Sequence, residues 1–152
     1  MQKFLAAYRE DVRKFKAPGM QNPVIVLVDN DSAAAPTLNA IKQITGKPVS
    51  ATDPFIHVTA NLYVVLTPLQ AGTKSSMIED FFNATAKAVK YKGKQFDPSN
   101  DFSTATHYGK ADFAYNVVQP NAATIDFIGF KPLLDNISLV IDHHIKTHHT
   151  VP

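Results

Sequence analysis

Five consecutive apolar residues, Val24-Ile25-Val26-Leu27-Val28, run straight into Asp29-Asn30-Asp31-Ser32. A β-strand sends alternate side chains to opposite faces, so a run with no polar position offers neither face to water. Such a strand is expected at the centre of a parallel sheet covered on both sides, and parallel neighbours need crossover connections, usually helices. The feature therefore points to an α/β chain with a polar triplet at the carboxyl end of the strand. The run is too short to span a membrane, and charges at Arg9, Glu10 and Asp11 interrupt the start of the chain where a signal peptide needs an apolar core. A cytoplasmic chain with no membrane partner is expected.

The segments around this strand fit the same class. Phe4, Tyr8, Val12 and Phe15 recur at helical spacing, which predicts an amphipathic helix over 3–16 ended by Pro18-Gly19. A second helix is predicted over 34–45, with Pro36 in its first turn and Gly46 as C-cap. Phe55 to Thr59 and Leu62 to Leu66, joined by Ala60-Asn61, read as a hairpin or as two strands at the sheet edge. Ser76 with Glu79 three residues later predicts a capping box opening a helix over 76–90. Residues 91–109 are rich in turn formers and read as a long loop. Residues 110–118 are predicted helical. A last helix is expected from Phe130 to His148, with Leu133, Leu134, Ile137, Val140, Ile141 and Ile145 on one face. The expected organisation is an α/β core over 1–90 and a loop and helical C-terminal extension over 91–152 of the same domain.

Composition limits the chemistry. The chain has 152 residues, 45% apolar and 18% charged, which is enough to bury a core. It has no cysteine, which excludes disulfides and thiolate metal sites. A net charge of +2 leaves room for a nucleic-acid surface only where basic residues cluster. Lys87, Lys90, Lys92 and Lys94 form one such group, which a solvated face explains equally well.

Asp29 and Asp31, at i and i+2 after a buried strand, are candidate Mg²⁺ ligands. In open α/β sheets ligands bind beyond the carboxyl ends of the strands, and Mg²⁺ needs only one or two carboxylates because it keeps several waters. The alternative is that the triplet simply caps the next helix, since Asp, Asn and Ser are all good N-caps. Glu79 and Asp80 form a second acidic cluster that a sheet could bring to the edge holding Asp29; the alternative is a solvated first helical turn. Asp142-His143-His144 and His148-His149 allow a transition-metal reading, with His144 and His148 at i and i+4, against a plain polar helix end. His57 alternates with apolar neighbours and reads as the polar face of a strand.

Three ordered segments carry a family resemblance: Pro23 to Ser32, Asn61 to Pro68, and Ile78-Glu79-Asp80-Phe81-Phe82. With His107-Tyr108-Gly109-Lys110, Phe113-Ala114 and Ile125-Asp126-Phe127, they resemble the later part of a TOPRIM domain. Their order and spacing most resemble the TOPRIM-like endonuclease region at the C-terminus of some retron reverse transcriptases, over about residues 1–142. The resemblance implies a partial, Rossmann-like, mainly parallel sheet with flanking helices. It also implies a Mg²⁺-dependent (or Mn²⁺-dependent) endonuclease acting on DNA or RNA, partnered by the remainder of a reverse transcriptase. Asp29 and Asp31 match the family's metal-holding DxD, Glu79 and Asp80 match a later acidic pair, and Lys110 would face a phosphate. Asp29, Asp31, Glu79 and Lys110 are the implied catalytic set; Asp29, Asp31, Glu79 and Asp80 are the implied metal set. The family's glutamate-bearing first strand has no counterpart before Val24 in this sequence, so a chain lacking the first part of the domain, or a non-catalytic remnant that binds a partner, is the expected alternative.

Overall fold

The computed structural model describes residues 1–14 and 21–148 and separates into two compact units, Met1–Met77 with Pro132–Pro152, and Ile78–Lys131.

In the first unit the elements run α1 (Gln2–Val12), β1 (Val24–Val28), a 3₁₀ turn (Ser32–Ala34), α2 (Ala35–Thr45), β2 (Ile56–Thr59) and β3 (Leu62–Leu66), with α5 (Lys131–His148) returning from the end of the chain. The strands form one mixed sheet in the order β1-β3-β2. β1 pairs parallel with β3 in the register Val24↔Leu62 to Val28↔Leu66, and β2 pairs antiparallel with β3. The predicted hairpin is present, turned by Ala60 at φ 49. The all-apolar β1 is not the central strand: β3 is, and β1 has one strand neighbour among the described residues.

Layering explains the exchange of places. On one sheet face Val24, Val26 and Val28, with Leu62, Val64, Leu66, Ile56 and Val58, pack around Leu5 of α1, Ala34 of the 3₁₀ turn and Ile41 of α2. On the other face α5 meets β3 at Tyr63, through His143 and His144. All five residues of β3 are therefore buried, while Leu27 on β1 remains 46% exposed.

The helices follow from local sequence. α2 begins with Pro36 in its first turn and ends at Gly46, whose φ of 68 is the left-handed geometry that a C-cap glycine supplies. In α1 the deepest anchor is Leu5, fully buried, whereas Phe4 of the predicted stripe is 45% exposed. Phe15 and Pro18-Gly19 lie outside the described residues. α5 turns Leu133, Val140 and His144 inward and leaves Leu134, Ile141 and Ile145 exposed, so the predicted apolar stripe is divided between two faces.

The second unit opens with a 3₁₀ turn (Ile78–Phe81) and the short α3 (Ala84–Lys87), not the continuous helix expected over 76–90. The expected cap is used elsewhere: Ser76 Oγ donates to the Thr67 carbonyl at 2.7 Å, and Asn83 takes the capping role by accepting from Ala86 N–H at 2.8 Å. The loop over 91–109 contains a two-residue parallel pairing of β4 (Gln95–Phe96) with β5 (His107–Tyr108). α4 (Lys110–Asp112) continues into a π-helical turn over Phe113–Val118. A small aromatic core forms around Tyr108, Phe113 and Val117, with Phe96 stacked on Phe113 at 4.2 Å and Phe82 edge-on to it at 5.1 Å.

Candidate functional site

The DxD triplet is held by its middle residue. Asn30 is buried, and its backbone N–H reaches both the Ser76 carbonyl (2.8 Å) and Thr67 Oγ1 (2.9 Å). Its side-chain amide donates to the Ala51 carbonyl at 2.9 Å, and its own carbonyl accepts from Ser76 N–H. Thr67 Oγ1 and Ser76 Oγ lie 2.8 Å apart, so the knot is closed by side chains as well as backbone. Buried polar groups persist only when paired in this way. Alternation along extended backbone then sends Asp29 and Asp31 to the side opposite Asn30, where both are half-buried. They sit beyond the carboxyl ends of β1 and its parallel neighbour β3. Asp31 also caps the 3₁₀ turn, its Oδ1 accepting from Ala33 N–H at 2.8 Å. Thr67 and Ser76 are the residues that sequence reasoning missed. The available signal was Thr67 itself, a polar residue closing β3 at the level where the triplet closes β1.

Glu79, Asp80 and Lys110 belong to the second unit. There Lys110 Nζ stands 3.1 Å from Glu79 Oε2, which brings together two of the candidate catalytic residues. Glu79 is 8% exposed, and its Oε2 lacks the directional geometry of a hydrogen bond, so the contact is an ion pair. Asp80 follows on the same 3₁₀ turn.

The lysine group is partly committed. Lys94 Nζ donates to the Thr104 carbonyl, and Lys92 Nζ lies 5.0 Å from the ring centre of Tyr91. His57 is exposed on β2, as its alternation predicts, and its ring stacks on Tyr63 at 4.7 Å. His144 is fully buried; the side chain of His148 and all of His149 lie outside the described residues.

Among the described residues, no group of three or more His, Cys, Asp or Glu is arranged to hold a metal ion. Among the same residues no helix is long and apolar enough to cross a membrane. No family model matches the chain, and no solved structure matches it.

Proposed function

We propose that the chain is a TOPRIM-type domain that binds Mg²⁺ through Asp29 and Asp31 and acts on nucleic-acid phosphodiesters, together with the remainder of a reverse transcriptase. What supports this reading is that the Asp29-Asn30-Asp31 triplet closes β1, which pairs parallel with β3, with Asn30 locked between the two aspartates. The donor set fits the ion: carboxylate oxygens only, two in number, with water completing the shell. Held by Asp29 and Asp31, such an ion would supply a Lewis acid for a phosphate oxygen and would lower the pKa of a bound water. The residues of the chain do the rest. Asn30 is locked between the two aspartates, and Asp31 gives one oxygen to its cap. Lys110 brings a cation beside Glu79, so a phosphate approaching Lys110 competes with that carboxylate.

A second reading, a non-catalytic module that binds a partner or nucleic acid, is favoured by the cap that Asp31 makes and by the pairing of Lys110 with Glu79. Calorimetry with Mn²⁺ separates the two. The proposal expects a binding heat in the wild type that Asp29→Asn and Asp31→Asn each remove; equal heats in all three proteins overturn it. A cleavage assay on single- and double-stranded DNA and RNA follows. Turnover is expected to be weak, because the family's glutamate-bearing strand has no counterpart here and general acid–base help is typically worth about 10²–10⁴-fold. Cleavage that survives Asp31→Asn is not the work of this site.

A further inference from the structure

β1 lies at an edge of its sheet: it pairs with β3 on one side and, among the described residues, with no strand on the other. Two bonds show which of its peptide groups face outward. Val24 N–H donates to the Asn61 carbonyl at 2.7 Å, and the Val28 carbonyl accepts from Thr67 N–H at 3.0 Å. The even-numbered residues therefore turn their backbone groups to β3, and alternation turns the N–H and C=O of Ile25 and Leu27 to the open side. Native sheets guard such an edge with a charge, a proline or a bulge. The other edge of this sheet is guarded in that way, because β2 breaks register between His57 and Thr59. β1 runs in unbroken register, has no charged residue and leaves Leu27 exposed.

A second apolar surface stands beside this edge. α5 crosses the sheet on the face that carries Tyr63, and the register sets Ile25 beside Tyr63 on that face. His143 marks the flank of α5 turned to β2, its ring 5.2 Å from that of Phe55 and 5.9 Å from that of His57. Leu134, Ile141 and Ile145 lie roughly 160–200° around the helix from His143, on the flank turned to β1. All three are exposed.

We propose that this edge pairs with a second copy of the chain, β1 against β1, antiparallel about a two-fold axis at Val26. The strand itself dictates that register. It sets Ile25 opposite Leu27 of the partner subunit and Leu27 opposite the partner's Ile25. Each of these pairs exchanges both N–H···O=C bonds, so every outward group of Ile25 and Leu27 is satisfied. Val26 meets its own counterpart at the non-hydrogen-bonded position between them. Pro23, which lacks an N–H, closes the ladder at either end. Charge selects the same direction. Parallel pairing would set Asp29 beside the partner's Asp29, whereas antiparallel pairing sends the two aspartate triplets to opposite ends.

The axis stands perpendicular to the joined sheet, so both α5 helices lie on one face. Their Leu134, Ile141 and Ile145 flanks turn to each other across the seam, above Ile25 and Leu27. The two β3 strands are then about 14 Å apart, against about 8–10 Å between packed helices, a difference that Leu and Ile side chains span. A short strand edge alone falls below the roughly 1,000 Å² of a specific interface, and the helix flanks add the apolar area that it lacks. Such a contact closes on itself, and the guarded β2 edge stops the assembly at two copies.

The test is sedimentation velocity of the full chain over a range of concentrations, with hydrogen exchange read at single amides. The wild type is expected to pass from monomer to dimer and no further, with the Ile25 and Leu27 amides gaining protection as the dimer fills. Leu27→Lys places a charge at the seam on an exposed position and should stay monomeric with unchanged circular dichroism. Ile141→Lys leaves the strand untouched and should weaken dimerisation by roughly tenfold or more. The chain has no cysteine, so an introduced thiol reports the register. Val26→Cys should cross-link to its own counterpart on mild oxidation, since a non-hydrogen-bonded pair stands about 4.5 Å apart at Cα, within disulfide reach. Ile25→Cys and Leu27→Cys stand about 7–8 Å from their own counterparts and should not. A chain that stays monomeric at every concentration would leave the edge to a strand of another protein and overturn the proposal. A dimer that Leu27→Lys leaves intact, or cross-linking through Ile25→Cys or Leu27→Cys but not through Val26→Cys, would overturn it as well.

Discussion

Lys110 Nζ and Glu79 Oε2 stand 3.1 Å apart, and the lysine is the more exposed partner, its side chain 36% accessible against 10% for the glutamate. The asymmetry decides what each loss does. Removing Lys110 leaves a mostly buried carboxylate without that counter-charge, whereas removing the glutamate charge leaves a lysine that can turn to water.

Lys110→Met should therefore destabilise the chain more than Glu79→Gln. Breaking a fully buried pair costs about 3–5 kcal/mol; partial exposure of the lysine lowers the expectation here to about 1–3 kcal/mol. Thermal melts of the two variants and of the double variant give the coupling energy. A Lys110→Met protein that melts with the wild type would show that the pair contributes nothing.

Thr67→Val should loosen the DxD triplet. The change is nearly isosteric but removes the hydroxyl that accepts from Asn30 N–H and donates to the Ser76 carbonyl. Asn30 N–H and the Ser76 carbonyl keep their bond to each other, so no buried group is orphaned and the lost hydrogen bonds cost about 0.5–1.5 kcal/mol each. The expected result is a lower urea midpoint with an unchanged slope, together with a smaller Mn²⁺ heat. A lower midpoint with an unchanged heat would mean that the knot supports the fold but does not set the carboxylates.

The triplet and the hairpin were legible because both depend on short-range pattern: a polar closure of an apolar run, and two β-rich runs separated by Ala60-Asn61. The order of the strands was not. Val24–Val28 and Leu62–Leu66 are equally short, the former is the richer in β-branched residues (four against two), and Tyr63 even gives the latter a polar atom. What makes β3 central is α5, which arrives from the far end of the chain and satisfies that phenol with two histidines. The helix expected over 76–90 failed for a related reason. Ser76 is a good N-cap in isolation, but a buried hydroxyl is bound to its nearest strong partner, which is Thr67. Of the candidate site, the pairing of Glu79 with Lys110 was not legible, since the two are far apart in sequence.

Gly129→Ala should destabilise the second unit. A methyl group at this position would stand 2.2 Å from the Phe81 carbonyl oxygen, and the obstacle is backbone, not a side chain that can swing away. Overpacking of this kind costs about 1–3 kcal/mol. Near-ultraviolet circular dichroism should report it, because Phe81, Phe82 and Phe130 meet at this turn. A spectrum and melting temperature identical to wild type would show that the turn shifts freely.

Alkaline pH should unfold the chain earlier than carboxylate or amine titration alone would. Tyr8, Tyr63 and Tyr108 all have hydroxyls held above the ordinary value of 10.0, each chiefly because burial disfavours the phenolate. Hydrogen bonds to Asn61 and Thr147 oppose the shift in Tyr8 and Tyr63 without cancelling it. The sign follows from proton counting. Above pH 10 the unfolded chain gives up these protons while the folded chain retains them, so the folded state binds more protons and stability falls as pH rises. Below pH 10 both states are protonated and the contribution is complete. Each group can contribute a slope of at most about 1.4 kcal/mol per pH unit between its unfolded and folded values. Tyr108→Phe removes one of the three while keeping the ring that packs with Phe96 and Tyr91. Its stability should decline less steeply than that of the wild type above pH 10, even though it loses the hydrogen bond to the Val89 carbonyl and starts lower. Melting temperatures taken from pH 8 to 11 decide the matter: parallel curves for the two proteins would mean that Tyr108 ionises in the folded chain as readily as in the unfolded one.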